Sequence, residues 1–581
     1  MKSLATDIFR YFSVSKQNRM LRSLLRKKSL PDILRDTQSG NSDGHQPELR
    51  RVLGVRDLTS MGIAAVIGAG IFSTIGKAAF SGGPGVVFLF AIIAVTCGFV
   101  ALCYAEFAAR IPAAGSAYTY TYITIGELAA WIIGWALILE YAISNVVVSI
   151  SWSGYFVNLL EGAHIYLPSW MTTDPKTAQD RFETALTHGN AVEGMAWASA
   201  PEIAGMKIIL NVPAFVIVAL ITVLAYIGIR ESKKGANIMV IIKLVALAFI
   251  VVLGIFYVNT DNWTPFMPNG FTGVLGGVSA IFFAYIGFDS ISTTAEECHN
   301  PQRDLPRGMI YSLLICTVIY VIVTLVITGM VNYSEFKGVT DPLAYVFEKI
   351  HLQKIGYIVS VGAVIAATSA LLVYQLGQPR IWMSMSRDGL LPKKFSVIHP
   401  RFHTPWFATI VTGVVVAVPA LFIDIDVVTD LTSIGTLFAF ILVCIGVLYL
   451  PKREKVTGDK TFRMPMINGR WIVPALFLVF IYGYSERISS AFSMHNSNEE
   501  IIFLIFLVAT AIIAAVTFFK NLSLIPILGL LCCLYLMIEI PPKSWLVFFG
   551  WMSLGLVIYL SYGRKKSKLA GTKLKVENNK S

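Results

Sequence analysis

The sequence predicts an all-α polytopic membrane protein with about fourteen transmembrane helices, and three observations carry that prediction. Hydrophobic residues fill 55% of 581 positions and charged residues only 14%, where a soluble protein carries about 25% charge. Apolar stretches of about 20 residues, the length that crosses a bilayer core, recur along the chain. Basic residues gather at the ends: twelve Lys/Arg precede residue 58 and seven follow Tyr562. That is membrane-surface placement rather than a nucleic-acid footprint.

Residues 1–57 read as a basic N-terminal tail with no signal peptide, because residues 1–50 hold no apolar core of signal-peptide length. Ile8-Phe9, Tyr11-Phe12, Met20-Leu21 and Leu24-Leu25 alternate with Arg19, Arg22, Arg26, Lys27 and Lys28. A basic interfacial helix and a solvated tail both fit that pattern, and residues 37–49 read as a flexible linker. The apolar stretches follow at 58–80, 86–110, 127–160, 208–229, 236–258, 271–291, 307–331, 353–386, 405–423, 427–450, 471–490, 500–519, 522–541 and 544–562. The third and eighth reach 34 residues each, about 50 Å of helix, so they tilt or project. A basic tail, residues 563–581, closes the chain. With both termini cytoplasmic, Arg110, Arg230/Lys233/Lys234, Arg303/Arg307, Arg387/Lys393/Lys394/Arg401 and the 452–470 loop lie inside. The outer side receives the 161–207 loop, with six acids against three bases, and Asp261, Asp424 and Asp426. This is the positive-inside distribution, and the expected location is the plasma (inner) membrane.

The first apolar stretch contains Gly68-Ala69-Gly70-Ile71-Phe72. Two glycines this close disfavour continuous helix by about 1 kcal/mol each. Small residues also let membrane helices pack closely, so packing and a ligand-lined break are the two readings. The sixth stretch decides between them, because it carries a second interruption, Phe282-Phe283-Ala284-Tyr285-Ile286-Gly287-Phe288-Asp289. Stretches 1–5 (58–258) and 6–10 (271–450) each place an interrupted helix first and an overlong helix third. Five is odd, so the second set enters the membrane inverted. Inverted repeats with matched broken helices place a binding site at the breaks. Stretches 471–562 form four additional spans.

A half-helix N-terminus favours an anion, and freed carbonyls accept from a cation. Together they suit a zwitterion, its carboxylate at Ala69, Gly70 and Ile71 beside Gly68. Its ammonium falls to the carbonyls of Ile67, Phe283, Ala284 and Ile286. An α-amino acid fits, as does any small zwitterion.

Gly68–Phe72, Pro112-Ala113-Ala114-Gly115-Ser116-Ala117-Tyr118, Gly134–Tyr141 and Phe283–Asp289 resemble the amino acid–polyamine–organocation superfamily of permeases. Thr294-Ala295-Glu296-Glu297-Cys298-His299-Asn300-Pro301-Gln302-Arg303 and the fourteen stretches are similar to its cationic amino acid transporter branch. The resemblance covers about residues 50–450. It implies the five-plus-five, LeuT-like transporter fold and amino acid transport by alternating access, with bacterial members of the branch carrying neutral amino acids. It also implies that Lys243 reaches the first break and changes protonation during proton-coupled transport.

Ionisable groups inside a membrane are costly and functional by default. Lys243 sits roughly 10 Å inside the fifth stretch by helical rise, where it either snorkels outward or serves the site. Glu140, in the third stretch, is a structural partner for a neighbouring helix or a coupling group. Asp289 either caps the second break or joins the site. Phe282, Tyr285 and Phe288 pack the core or close over a ligand. Glu296, Glu297 and Arg303 read as gate or loop-ordering residues, and Arg380 and Trp382 as inner-end anchors. The seven cysteines, with no CxxC or metal-ligand spacing, read as small hydrophobes. No P-loop, HExxH or nucleophile elbow occurs, so neither an enzyme nor a cofactor or metal is expected. The expected partners are an amino acid, a proton and the bilayer. The function expected is proton-coupled amino acid import. Facilitated transport or exchange of arginine, lysine or ornithine is the alternative, and an amino-acid-sensing receptor a more distant one.

Overall fold

The computed structural model describes residues 26–28, 51–111, 115–187, 194–203, 205–337, 339, 341–450, 461–492 and 497–570. The expected interfacial helix, the 37–49 linker, most of the two basic tails, Pro112–Ala114 and residues 452–460 lie outside them. So do the side chains of Arg230, Lys233, Lys234 and Asp426.

The described residues are mostly helical, and their only named strands form a small hairpin, Glu202–Ile203 with Met206–Lys207. Each of the fourteen apolar stretches carries helix. Numbered in chain order, the helices run α1 (Val55–Val66), α2 (Ile75–Gly82), α3 (Val86–Arg110), the short α4 (Ala117–Thr124) between stretches, α5 (Glu127–Gly162), α6 (Val212–Ile227), α7 (Ile229–Gly254) and α8 (Val278–Tyr285). There follow α9 (Pro301–Met330), the short α10 (Pro342–Lys349), again between stretches, α11 (Gln353–Arg387), α12 (Trp406–Ala420), α13 (Ile425–Leu448), α14 (Ile472–Gly483), α15 (Ser497–Lys520), α16 (Leu524–Ile538) and α17 (Pro542–Ile558). Among the described residues, nine helical runs are long and apolar enough to cross a membrane. The first, Val55–Arg110, joins the first two stretches.

Two boundaries differ from expectation. Helix α7 begins at Ile229, so residues expected in a loop before 236 form its first turns, started at Gly228, whose φ of 122° only glycine adopts freely. The sixth stretch is three pieces, Gly270–Leu275, α8 and a 3₁₀ run, Phe288–Glu297.

The overlong helices α5 and α11, 36 and 35 residues, pack against each other. Small residues permit the approach: a Cβ on Gly134 of α5 would lie 2.8 Å from Met385 Sδ of α11. Helix α9 lies along α3 and α1, α7 along α11, α13 along α5, and α8 against residues Gly70–Thr74. Helices α16 and α17 pack on this core, while α14 packs on α15 and α16.

Residues 26–28 and 559–568 meet the first residue of α5 and the residue just past α11. Glu127, the first residue of α5, is buried and accepts from the hydroxyls of Tyr122 (3.0 Å), Tyr559 (2.9 Å) and Ser567 (2.6 Å). Its N–H donates to the Arg26 carbonyl at 2.8 Å. Asp388, just past α11, accepts from Lys28 Nζ (2.6 Å) and the Tyr118 hydroxyl (2.7 Å), and its carbonyl accepts from the Lys568 N–H (3.0 Å). Trp135 and Trp551 stack 4.7 Å apart and each indole N–H donates to the other's carbonyl, fastening α17 to α5.

Candidate functional site

The first break falls where the two glycines foretell it. Helix α1 stops at Val66, Ile67 leaves the helical region (ψ 78°), and the chain resumes as a wide π turn, Gly70–Thr74, before α2. Such turns recur at functional sites. Ala69, Gly70 and Ile71 open this segment, where amide N–H groups have no partner within the helix.

At the second break α8 ends at Tyr285, Ile286 is extended, and Gly287 has φ 118°. A Cβ on Gly287 would lie 2.7 Å from Ala65 Cβ and 2.8 Å from the Tyr374 hydroxyl. Beyond it the 3₁₀ run is ten residues long, where three or four is usual. The hydroxyls of Ser290, Ser292, Thr293 and Thr294 each donate to the carbonyl three residues back, at 2.5–2.8 Å. Side chains that bond locally favour such a turn over an α-helix.

The two breaks touch. A Cβ on Gly70 would collide with the Ala284 backbone. Lys243 on α7 has no exposed surface. Its Nζ donates to the Ala64 carbonyl (3.0 Å), the Ile67 carbonyl (2.7 Å) and Ser369 Oγ (2.9 Å). It therefore does not snorkel, and it joins α7, the end of α1 and α11. The hydroxyl of Tyr320 on α9 reaches the carbonyls of Val66 (2.7 Å) and Ala284 (2.9 Å). That of Tyr374 on α11 reaches Ile286 (3.1 Å) and Ala65 (3.5 Å).

Ile67, Gly68, Ala69, Gly70, Ile71, Phe283, Ala284 and Ile286 thus meet at one place. Every carbonyl expected to receive an ammonium already has one donor: Lys243 at Ile67, the Ile286 N–H at Phe283, Tyr320 at Ala284 and Tyr374 at Ile286. A carbonyl has a second lone pair to offer. Tyr285 points elsewhere, its hydroxyl donating to the Phe90 carbonyl at 3.1 Å. Asp289 is buried, and neither carboxylate oxygen has a hydrogen-bonding partner among the described residues. The Tyr141 hydroxyl and the Gly287 and Ser290 N–H groups are near it. Glu140 lies against α13, where a Cβ on Gly435 would stand 3.7 Å from its own Cβ. Its Oε2 is likewise unpartnered among the described residues, and it lies within electrostatic reach of Asp289.

At the far end of the 3₁₀ run, Arg380 of α11 grips Glu297 with Nη2 at 2.7 and 2.8 Å and Nε at 3.1 Å, both side chains buried. Arg387 Nη1 binds Glu296 at 2.9 and 3.0 Å. Arg303 instead pairs with its neighbour Asp304.

The family model described as "Amino acid permease" matches residues 53–510, and that described as "C-terminus of AA_permease" matches 522–567. The chain belongs to the amino acid permease family. Similar proteins include the branched-chain amino acid permease BcaP of Bacillus subtilis, 37% identical over 547 residues, 94% of this chain and 99% of the relative. The methylthioribose transporter of the same organism is 34% identical over 94% of this chain and 99% of its own length. The vacuolar cationic amino acid transporter 2 of Arabidopsis thaliana is 32% identical over 95% of this chain and 94% of its own. This permease is an integral membrane transporter of the amino acid–polyamine–organocation superfamily and not an enzyme. Tyr320, Tyr374 and the Ser/Thr-stabilised 3₁₀ run were not singled out from sequence. The cluster Ser290, Ser292, Thr293, Thr294 directly after a broken helix was the available signal for the last.

Proposed function

We propose that this permease imports amino acids across the plasma membrane by alternating access, as a proton symporter. The observation that carries the reading is Lys243 seated on the end of α1. An ammonium has three donors, and Lys243 meets three acceptors. A neutral amine has two, so loss of the proton releases at least one link among α1, α7 and α11. Burial makes the protonation of a lysine responsive to its surroundings. The substrate carboxylate lies at the Ala69, Gly70 and Ile71 amides and its ammonium at the carbonyls of Ile67, Phe283, Ala284 and Ile286. Residues 58–258 and 271–450 act as inverted repeats, 471–562 as a peripheral addition, and both basic tails, 1–57 and 563–581, lie in the cytoplasm. Glu297–Arg380 and Glu296–Arg387 close the cytoplasmic side.

Uptake of radiolabelled leucine, arginine and methylthioribose into proteoliposomes, with and without an inward proton gradient, tests this. Acid-stimulated leucine uptake is expected, lost in Lys243→Met while the protein still inserts. Persistence of pH-dependent uptake in that variant removes Lys243 from the mechanism. A second reading, facilitated transport or exchange of cationic amino acids, is favoured by the buried Asp289 carboxylate and Glu140 Oε2, which lack a hydrogen-bonding partner among the described residues and suit a cationic side chain. It predicts arginine uptake driven by membrane potential with little pH dependence.

A further inference from the structure

Tyr320 and Tyr374 approach the breaks from two different helices, α9 and α11. Each hydroxyl stands between one carbonyl from the end of α1 and one from the end of α8. Carbonyls in the last turn of a helix have no partner within it, and the bilayer interior offers no water to replace one. A phenol has a single proton, so each hydroxyl donates to one carbonyl of its pair at a time; Val66 also accepts from the Gly68 N–H at 2.9 Å, which lets Tyr320 serve Ala284. Packing fixes where the hydroxyls sit. Tyr320 lies with its ring 5.6 Å from Phe90 and 5.4 Å from Tyr285, and Tyr374 5.8 Å from Tyr141. Both rings are buried.

We propose that Tyr320 and Tyr374 are positioning residues for the substrate's amino group: their hydroxyls hold the carbonyl ends of α1 and α8 in register as one acceptor surface for an ammonium. The inference rests on the substrate site described above and adds to it the two side chains that shape its cation-binding half. The hydrogen bonds of both hydroxyls go to carbonyls, at Val66, Ala284, Ala65 and Ile286, rather than to the Ala69–Ile71 amides that receive the carboxylate. Loss of a hydroxyl leaves its two carbonyls to turn toward other donors, which scatters the acceptors without disturbing the amides.

The test uses Tyr320→Phe and Tyr374→Phe, which keep the rings, in purified full-length protein. Equilibrium binding of radiolabelled leucine and arginine is measured beside competition by 4-methylpentanoate, which is leucine without its amine. The expected result is about tenfold weaker binding of the preferred amino acid, matched by a rise in the KM of uptake rather than a fall in maximum rate, with competition by the deaminated acid unchanged. Equal weakening for both ligands, or unchanged affinity with only less folded protein, overturns the proposal and leaves the tyrosines as braces. Tyr374→Phe, which breaks the longer bonds, keeps the question answerable should Tyr320→Phe fail to fold. Wild-type protein that binds neither amino acid sinks the substrate site itself, and this proposal with it.

Discussion

Gly287 shows how one residue sets the geometry of the site. Its φ of 118° turns the chain from α8 into the 3₁₀ run, and its missing Cβ lets Ala65 and Tyr374 approach. Gly287→Ala meets both penalties. Backbone strain of this kind costs about 1–3 kcal/mol, and the side chain pushes the Tyr374 hydroxyl from its carbonyls. The expected outcome is a lower melting temperature in detergent together with a raised KM for uptake. Wild-type kinetics in this variant would show that the contact between the two breaks does not matter to the substrate. Single residues were also where the sequence was most readable. Lys243 stood out as a charge in an apolar run, and Gly68, Gly70 and Gly287 as helix breakers. Tyr320 and Tyr374 did not, because a tyrosine in a membrane helix has the same composition signature whether it faces lipid or laces two carbonyls.

At the scale of elements, the clearest device is the clamp between the 3₁₀ run and α11. Arg380 and Glu297 are both buried, so removing one partner strands a charge, at a cost of about 3–5 kcal/mol, whereas removing both costs less. Arg380→Ala is expected to destabilise the protein more than Arg380→Ala combined with Glu297→Ala, measured as melting temperature in detergent. A double variant as unstable as the sum of the two singles would mean that the residues act independently. Helix positions followed from apolar length, but two element boundaries did not. The start of α7 depended on Gly228, which a charged segment disguised as a loop. The 3₁₀ run depended on hydroxyl-to-carbonyl bonds at Ser290, Ser292, Thr293 and Thr294, which leave no trace in hydrophobic periodicity.

For the whole molecule, long-range closure matters more than any single helix. Glu127 holds three hydroxyls, two of them, Tyr559 and Ser567, from more than 400 positions away. Tyr559→Phe with Ser567→Ala leaves its carboxylate with the Tyr122 hydroxyl alone among the described residues. A buried acceptor deprived of its donors costs about 1–3 kcal/mol, so a lower melting temperature with substrate KM unchanged is expected. A raised KM would connect this corner to the substrate site. The closure was illegible in advance because its partners, such as Lys28 with Asp388, are separated by 360 positions.

That separation also orders events during synthesis. Helix α5 is made long before its partners: its first carboxylate receives Tyr559 and Ser567 only after more than 400 further residues have been added. Until Tyr559 and Ser567 have been made, the Glu127 carboxylate must remain solvated or borrow other donors. A nascent chain stalled before Tyr559 therefore holds a carboxylate short of two of its three hydroxyl donors, however completely α5 itself has formed.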